Sequence, residues 1–199
     1  VIYHALYNYC TLDLSALYLD ILKDRLYTSA SQSSDRRSAQ SVLYIVLETI
    51  ARLMAPILPF TSDEIWQYMP PTNNRESSIH LTLLPEVNPA FKDDALYQKW
   101  DFLLKIRSEA TKALEEARAQ KLIGHPLDAA VTLAAETDLH EFLTAYADEL
   151  RSIMIVSKVN LAGPEPLVGA YESEDIQSLF IRVEAAAAKK CERCWVRAE

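Results

Sequence analysis

The stretch SVLYIVLETIARLMAPILPFTSDEIWQYMP, residues 41–70, decides how the rest of the chain is read. Leu43, Val46, Leu47, Ile50, Leu53 and Met54 recur at helical spacing and predict one apolar helix face. Pro56 and Pro59 each lack an N–H and disfavour helix in the residue before them, so they predict a stiff corner. Thr61, three residues before Glu64, has the spacing of a capping box, and Phe60 and Ile65 flank it as a hydrophobic staple would. A second helix is therefore expected to open at Thr61. Trp66 on that helix is expected to anchor a bundle; the other use for its ring is to meet a nucleic-acid base.

Working outward, the 199 residues suit one large or two small domains, and half of them are hydrophobic, enough for a real core. Three glycines against nine prolines indicate helices joined by stiff turns and not a glycine-rich phosphate loop. No apolar run is long enough to span a membrane, and no signal peptide is visible. The first residue is not Met, a helical pattern is already under way there, and the last residues sit in a cysteine motif, so the sequence reads as a piece of something longer. The net charge of −8 argues against a generally basic nucleic-acid footprint but leaves room for a local one. Three cysteines make no disulfide framework, and a reducing cytoplasmic setting is the default.

Residues 1–30 predict a first helix rich in Leu and Tyr, with Cys10 as a small apolar residue on its face. After the polar stretch 28–34, Ser34 or Asp35 is expected to cap the next helix. Arg36 and Arg37 then fall in its first turn, where cations oppose the helix dipole; a nearby external anion or simple solvation would each account for them. Residues 70–92, with four prolines, are expected to wrap the surface. Residues 93–121 predict the longest helix, capped by Asp93 or Asp94, with Leu96, Trp100, Leu103, Ile106, Ala110, Leu114 and Ala117 as its stripe. Beyond Gly124 the texture turns to strand at 129–134, 153–161 and 179–185, with a helical pattern at 139–150 and a linker-like, Pro-containing acidic loop at 163–178.

The ending KKCERCWVRAE, residues 189–199, concentrates the chemistry. Cys191 and Cys194 are spaced as two thiolate ligands of one tetrahedral zinc, but neither His125 nor His140 is placed to complete the set. A redox pair is the other reading, and it lacks the βαβ context such pairs have. Lys189, Lys190, Arg193 and Arg197 outnumber the two carboxylates of the tail, and Trp195 sits among them. Cations around an aromatic ring suit stacking on an unpaired base and holding its phosphate; packing over a zinc knuckle would use the ring equally well. No Walker loop, G-x-S-x-G or H-E-x-x-H occurs. From its residues the chain is a helical binding module with an α+β appendage.

Residues 53–70, LMAPILPFTSDEIWQYMP, resemble the core corner of the helical anticodon-binding domain of the class I aminoacyl-tRNA synthetases for isoleucine, valine, leucine and methionine. Residues 3–28, 112–133 and CERCW (191–195) resemble the isoleucyl family in particular, in collinear order. The resemblance implies a mainly α fold: a helical anticodon-binding domain over 1–121, a small α+β module over 122–188, and the first half of a zinc knuckle over 189–199. It implies a chain that grips tRNA(Ile) by the anticodon stem and loop and is itself catalytically silent, since HIGH and KMSKS do not occur. Isoleucine ligation with ATP and Mg²⁺ would belong to the whole enzyme. Cys191 and Cys194 would hold Zn²⁺; Arg36, Arg37, Lys189, Lys190, Arg193, Trp195 and Arg197 are the candidate tRNA contacts. The second cysteine pair of the family pattern is missing. The expected molecule is monomeric, cytoplasmic and free of membrane. The alternative is a helical protein-interaction module, which the acidic charge and apolar helices would also suit.

Overall fold

The computed structural model describes residues 1–73, 75–165 and 167–198; Asn74, Pro166 and Glu199 lie outside it. The chain is mainly α, with one mixed four-stranded sheet. It divides into two compact units, Val1–Lys92 and Asp93–Glu199.

In the first unit, α1 (Ile2–Asn8), a π-wound segment (Tyr9–Tyr18) and α2 (Leu19–Thr28) follow one another without a break. Helix α3 runs Ser34–Met54. Its cap is Ser33, one residue before the expected Ser34 or Asp35: Ser33 is extended, and its Oγ accepts the N–H of Arg36. The corner forms as expected, with the N–H groups of Ile57 and Leu58 both donating to the Met54 carbonyl at 2.8 Å. Helix α4 spans Pro59–Tyr68, so it opens two residues before Thr61. Its N-cap, Leu58, makes no side-chain cap, and the expected Thr61–Glu64 box does not start the helix. Pro59 explains the difference: its fixed φ suits the first helical position, and the N–H it lacks would have had no partner there.

The core of this unit is small, comprising Ala51, Ala55, Trp66, Met69 and Ile79 with Tyr44 and Ile65 against it. Leu47 and Leu53, expected on the buried face of α3, are exposed, and the close contacts come from small residues. Trp66 is the anchor: it is 3% exposed, its Nε1–H donates to the Glu76 carbonyl at 2.9 Å, and the guanidinium of Arg75 lies 4.2 Å from its ring centroid. The segment after α4 does not merely wrap the surface. Asp63 accepts from Ser78 Oγ and the Ile79 N–H, which seats Ile79 in the core. Those hydrogen bonds hold the Asp63 carboxyl below the usual range.

The second unit begins with α5 (Asp94–Ala119), capped by Asp93 through the Leu96 N–H at 2.9 Å. Leu103, Ile106, Ala110, Ala113, Leu114 and Ala117 are buried, as 3.6-residue periodicity requires, whereas Leu96 and Trp100 remain exposed. That stripe packs on the sheet and on α7, within the unit Asp93–Glu199. The remaining elements are β1 (Ala129–Ala135), α6 (Thr137–Ala145), α7 (Ala147–Met154), β2 (Lys158–Ala162), β3 (Tyr171–Glu172) and β4 (Leu179–Ala185). The sheet order is β2-β1-β4-β3. Strands β1 and β2 are parallel, joined through α6 and α7, and the other pairs are antiparallel. Parallel neighbours need such a crossover. Val131 faces Val159 and Val183 in register, and Leu133 faces Leu161 and Ile181, so the middle of β1 is the driest part of the unit.

Candidate nucleic-acid interface

The last residues fold back on themselves. Lys190 and Arg197 form an antiparallel bridge, the Cys191 N–H donates to the Val196 carbonyl at 2.9 Å, and the Trp195 N–H donates to the Cys191 carbonyl at 3.0 Å. Trp195 closes this tight turn with φ +65°, the left-handed region that bulky L residues seldom adopt. The turn aims the backbone N–H groups of Cys194 and Arg193 at Cys191, and with the Cys194 side chain they hold its thiol below its ordinary value. Neither cysteine is in a disulfide. Among the described residues no three His, Cys, Asp or Glu side chains gather to hold a metal. The turn thus carries two thiols three residues apart.

Trp195 is 55% exposed, with the Lys190 Nζ 5.1 Å from its ring centroid and the His125 ring edge-on at 6.5 Å. Lys189, Lys190 and Arg193 are exposed around it. Arg197 has another role. Its Nε and Nη2 bind Asp128 Oδ1 at 3.0 and 2.9 Å, its Nη1 donates to the Ala188 carbonyl, and its N–H donates to Ser157 Oγ at 2.7 Å. Burial pushes the Asp128 carboxyl up, but the hydrogen bonds and charge of Arg197 outweigh it, and the group lies below its ordinary range. Arg197 therefore fastens the hairpin to the end of the sheet and is not offered to solvent as its neighbours are.

Sequence reasoning missed the partners in that fastening. His125 was weighed only as a metal ligand, yet His125-Pro126-Leu127-Asp128 is a capping box. The Leu127 N–H donates to His125 Nδ1 at 3.1 Å, and the His125 N–H donates to Asp128 Oδ2 at 3.1 Å. The signal was present as a capping side chain three residues before an acid, with proline between them.

In the first unit, Arg36 is half-buried and its Nη1 donates to the Ser29 carbonyl at 3.2 Å; Arg37 is exposed and its Nη1 donates to Gln32 Oε1 at 3.0 Å. Arg37 borders a groove of about 630 Å³ together with Gln40, Ser41 and Tyr44. Arg36 closes the loop before α3, while Arg37 is exposed beside the groove.

Comparison with known proteins identifies the family. A family model described as the anticodon-binding domain of tRNA ligase matches residues 1–133. The chain is 52% identical over 196 residues to an isoleucine–tRNA ligase of Geobacter sulfurreducens, covering 98% of this chain and 21% of that protein. To the isoleucine–tRNA ligase of Moorella thermoacetica it is 45% identical over 201 residues, covering 100% and 22% respectively. To that of Desulforamulus reducens it is 48% identical over 200 residues, covering 98% and 21%. The chain thus spans about one fifth of the length of the curated relatives it matches. On its match over residues 1–133, the chain belongs to the family of anticodon-binding domains of tRNA ligases.

Proposed function

We propose that this chain grips tRNA(Ile) by the anticodon stem and loop, as the tRNA-binding part of an isoleucine–tRNA ligase. The observation that carries this reading is the family match over 1–133 together with likeness along 98% of this chain to an isoleucine–tRNA ligase. Its task is binding, with no chemistry of its own. Unpaired anticodon bases are met by aromatic stacking and edge hydrogen bonds, and the stem by cations on its phosphates. Trp195, Lys189, Lys190 and Arg193 in one unit and Arg37 in the other supply the side chains for both kinds of contact. ATP, Mg²⁺ and isoleucine are handled by the catalytic part of the longer enzyme, a monomer of the cytoplasm.

Cys191 and Cys194 fit Zn²⁺ as half of a tetrahedral thiolate set, on the strength of the N–H groups aimed at Cys191. The bound ion would lock the hairpin that carries Trp195. The two further donors are not among the described residues.

Ribonuclease footprinting of tRNA(Ile) with this chain tests the reading. Protection is expected over the anticodon stem and loop. Protection confined to the acceptor stem, or none, would overturn it.

A further inference from the structure

We infer that the turn His125–Asp128 is the second half of the RNA-contacting surface around Trp195. His125 donates a hydrogen bond to the edge of an unpaired base stacked there, and Asp128 positions the hairpin through Arg197. This inference rests on the reading that the chain binds RNA.

Three observations carry it. The first is the state of His125. Its Nδ1 accepts the Leu127 N–H, so that nitrogen carries a lone pair and the ring proton sits on Nε2. The residue is exposed and its ring centroid lies 6.5 Å from that of the Trp195 indole, so the imidazole borders the space a base stacked on that indole would fill. A base edge offers carbonyl oxygens and ring nitrogens as acceptors. The capping role fixes the tautomer without consuming the outward donor.

The second is the fastening. Asp128 binds both Nε and Nη2 of Arg197, and Ser157 Oγ takes the Arg197 N–H while donating to the Leu127 carbonyl. The turn and the hairpin are thus tied to each other by the charged Asp128–Arg197 pair and by two neutral hydrogen bonds through Ser157. Charged hydrogen bonds are shorter and stronger than neutral ones and fix geometry.

The third is the backbone of Trp195. A φ of +65° is costly for a bulky side chain and free for glycine. The hairpin would close at least as well with glycine, so the indole is present at a local cost, half exposed, with the Lys190 ammonium 5.1 Å from its centroid. A strained, exposed aromatic beside a cation is placed for a ligand with a flat face and a negative charge, which an unpaired nucleotide has.

The test is fluorescence anisotropy of a labelled tRNA(Ile) anticodon stem–loop with the whole chain and four sets of variants. Trp195→Gly relieves the backbone strain while removing the ring, and a loss of about tenfold in affinity is expected for one base–aromatic stack. His125→Asn keeps an acceptor for the Leu127 N–H, but its amide donors end short of the position of Nε2, with an expected loss of about fivefold for one hydrogen bond. Asp128→Asn loosens Arg197 and is expected to weaken binding by a similar factor of about five. In the Trp195→Gly background both further substitutions are expected to change affinity by less than about twofold, because they act through one stacked base. Losses that simply multiply across the double variants would overturn the inference, as would wild-type affinity in His125→Asn. If the wild-type chain binds and Trp195→Gly binds equally well, the inference fails and the anticodon-gripping reading stands. If the wild-type chain does not bind the stem–loop, that reading itself fails.

Discussion

Glu109 shows how a single buried charge is kept. It is 1% exposed at the middle of α5, with Lys112 Nζ 2.6 Å from Oε1 and with Ser173 Oγ and Tyr171 Oη donating to Oε2 at 2.6 and 3.2 Å. Burial pushes its carboxyl up, but these donors overcome that and bring it down from 4.5 to about 2. A depressed carboxyl stabilises the fold above its unfolded value and loses that contribution as pH falls through the folded one. Stability should therefore drop as pH is lowered from 4.5 towards 2, and Glu109→Gln should flatten that part of the profile in urea titrations at stepped pH. At neutral pH, Glu109→Ala should cost about 2 kcal/mol, less than a fully enclosed pair because Lys112 is partly solvated. Lys121 offers the opposite case. It ends α5 with φ 61°, in a Schellman turn where the Leu122 N–H reaches the Ala117 carbonyl and the Lys121 N–H the Arg118 carbonyl. Lys121→Gly should raise stability by about 0.5–1 kcal/mol, measurable by denaturant unfolding. Neither residue could be singled out beforehand. Glu109 lies among mixed charges on a helix, and its two hydroxyl donors are over sixty residues away; Lys121 carries no sequence mark of a left-handed conformation.

At the scale of elements, long periodic patterns were legible and short or competing ones were not. From Leu103 onward the buried stripe of α5, and the ranges of β1 and β4, follow from spacing alone. The start of α4 did not, because two start signals overlapped and proline at the first helical position prevailed over the Thr61 box. The single helix expected at 139–150 is two, α6 and α7, broken at Tyr146 with no glycine or proline to announce it. The strand expected over 153–161 begins only at Lys158, because α7 runs to Met154 and Ile155 turns the chain in the left-handed region. Strand β3 is two residues long, too short for alternation to show. The caps make a direct test. Asp93→Ala should cost about 1 kcal/mol through the lost Leu96 cap, read as a lowered unfolding midpoint of the second unit. In the first unit, Trp66→Ala should cost about 3–5 kcal/mol, since it empties the largest site in a small core and strands the Glu76 carbonyl.

For the whole molecule, the acidic net charge of −8 means that any grip on RNA is local. The sequence points to the tail for that locality, where cations surround Trp195. It gives no sign of the carboxylate that engages Arg197, which stands 69 residues earlier and is brought close only by the sheet. Binding should weaken with salt, and Lys190→Ala should make the log–log slope shallower by about one, as for the loss of one phosphate contact. The most direct measurement is the equilibrium affinity of this chain for a tRNA(Ile) transcript and for the same transcript with its anticodon replaced, at one physiological salt concentration. An anticodon-gripping chain binds the first and loses at least about tenfold on the second, the worth of one to two base contacts. Equal affinity for both, or no binding to either, would contradict it.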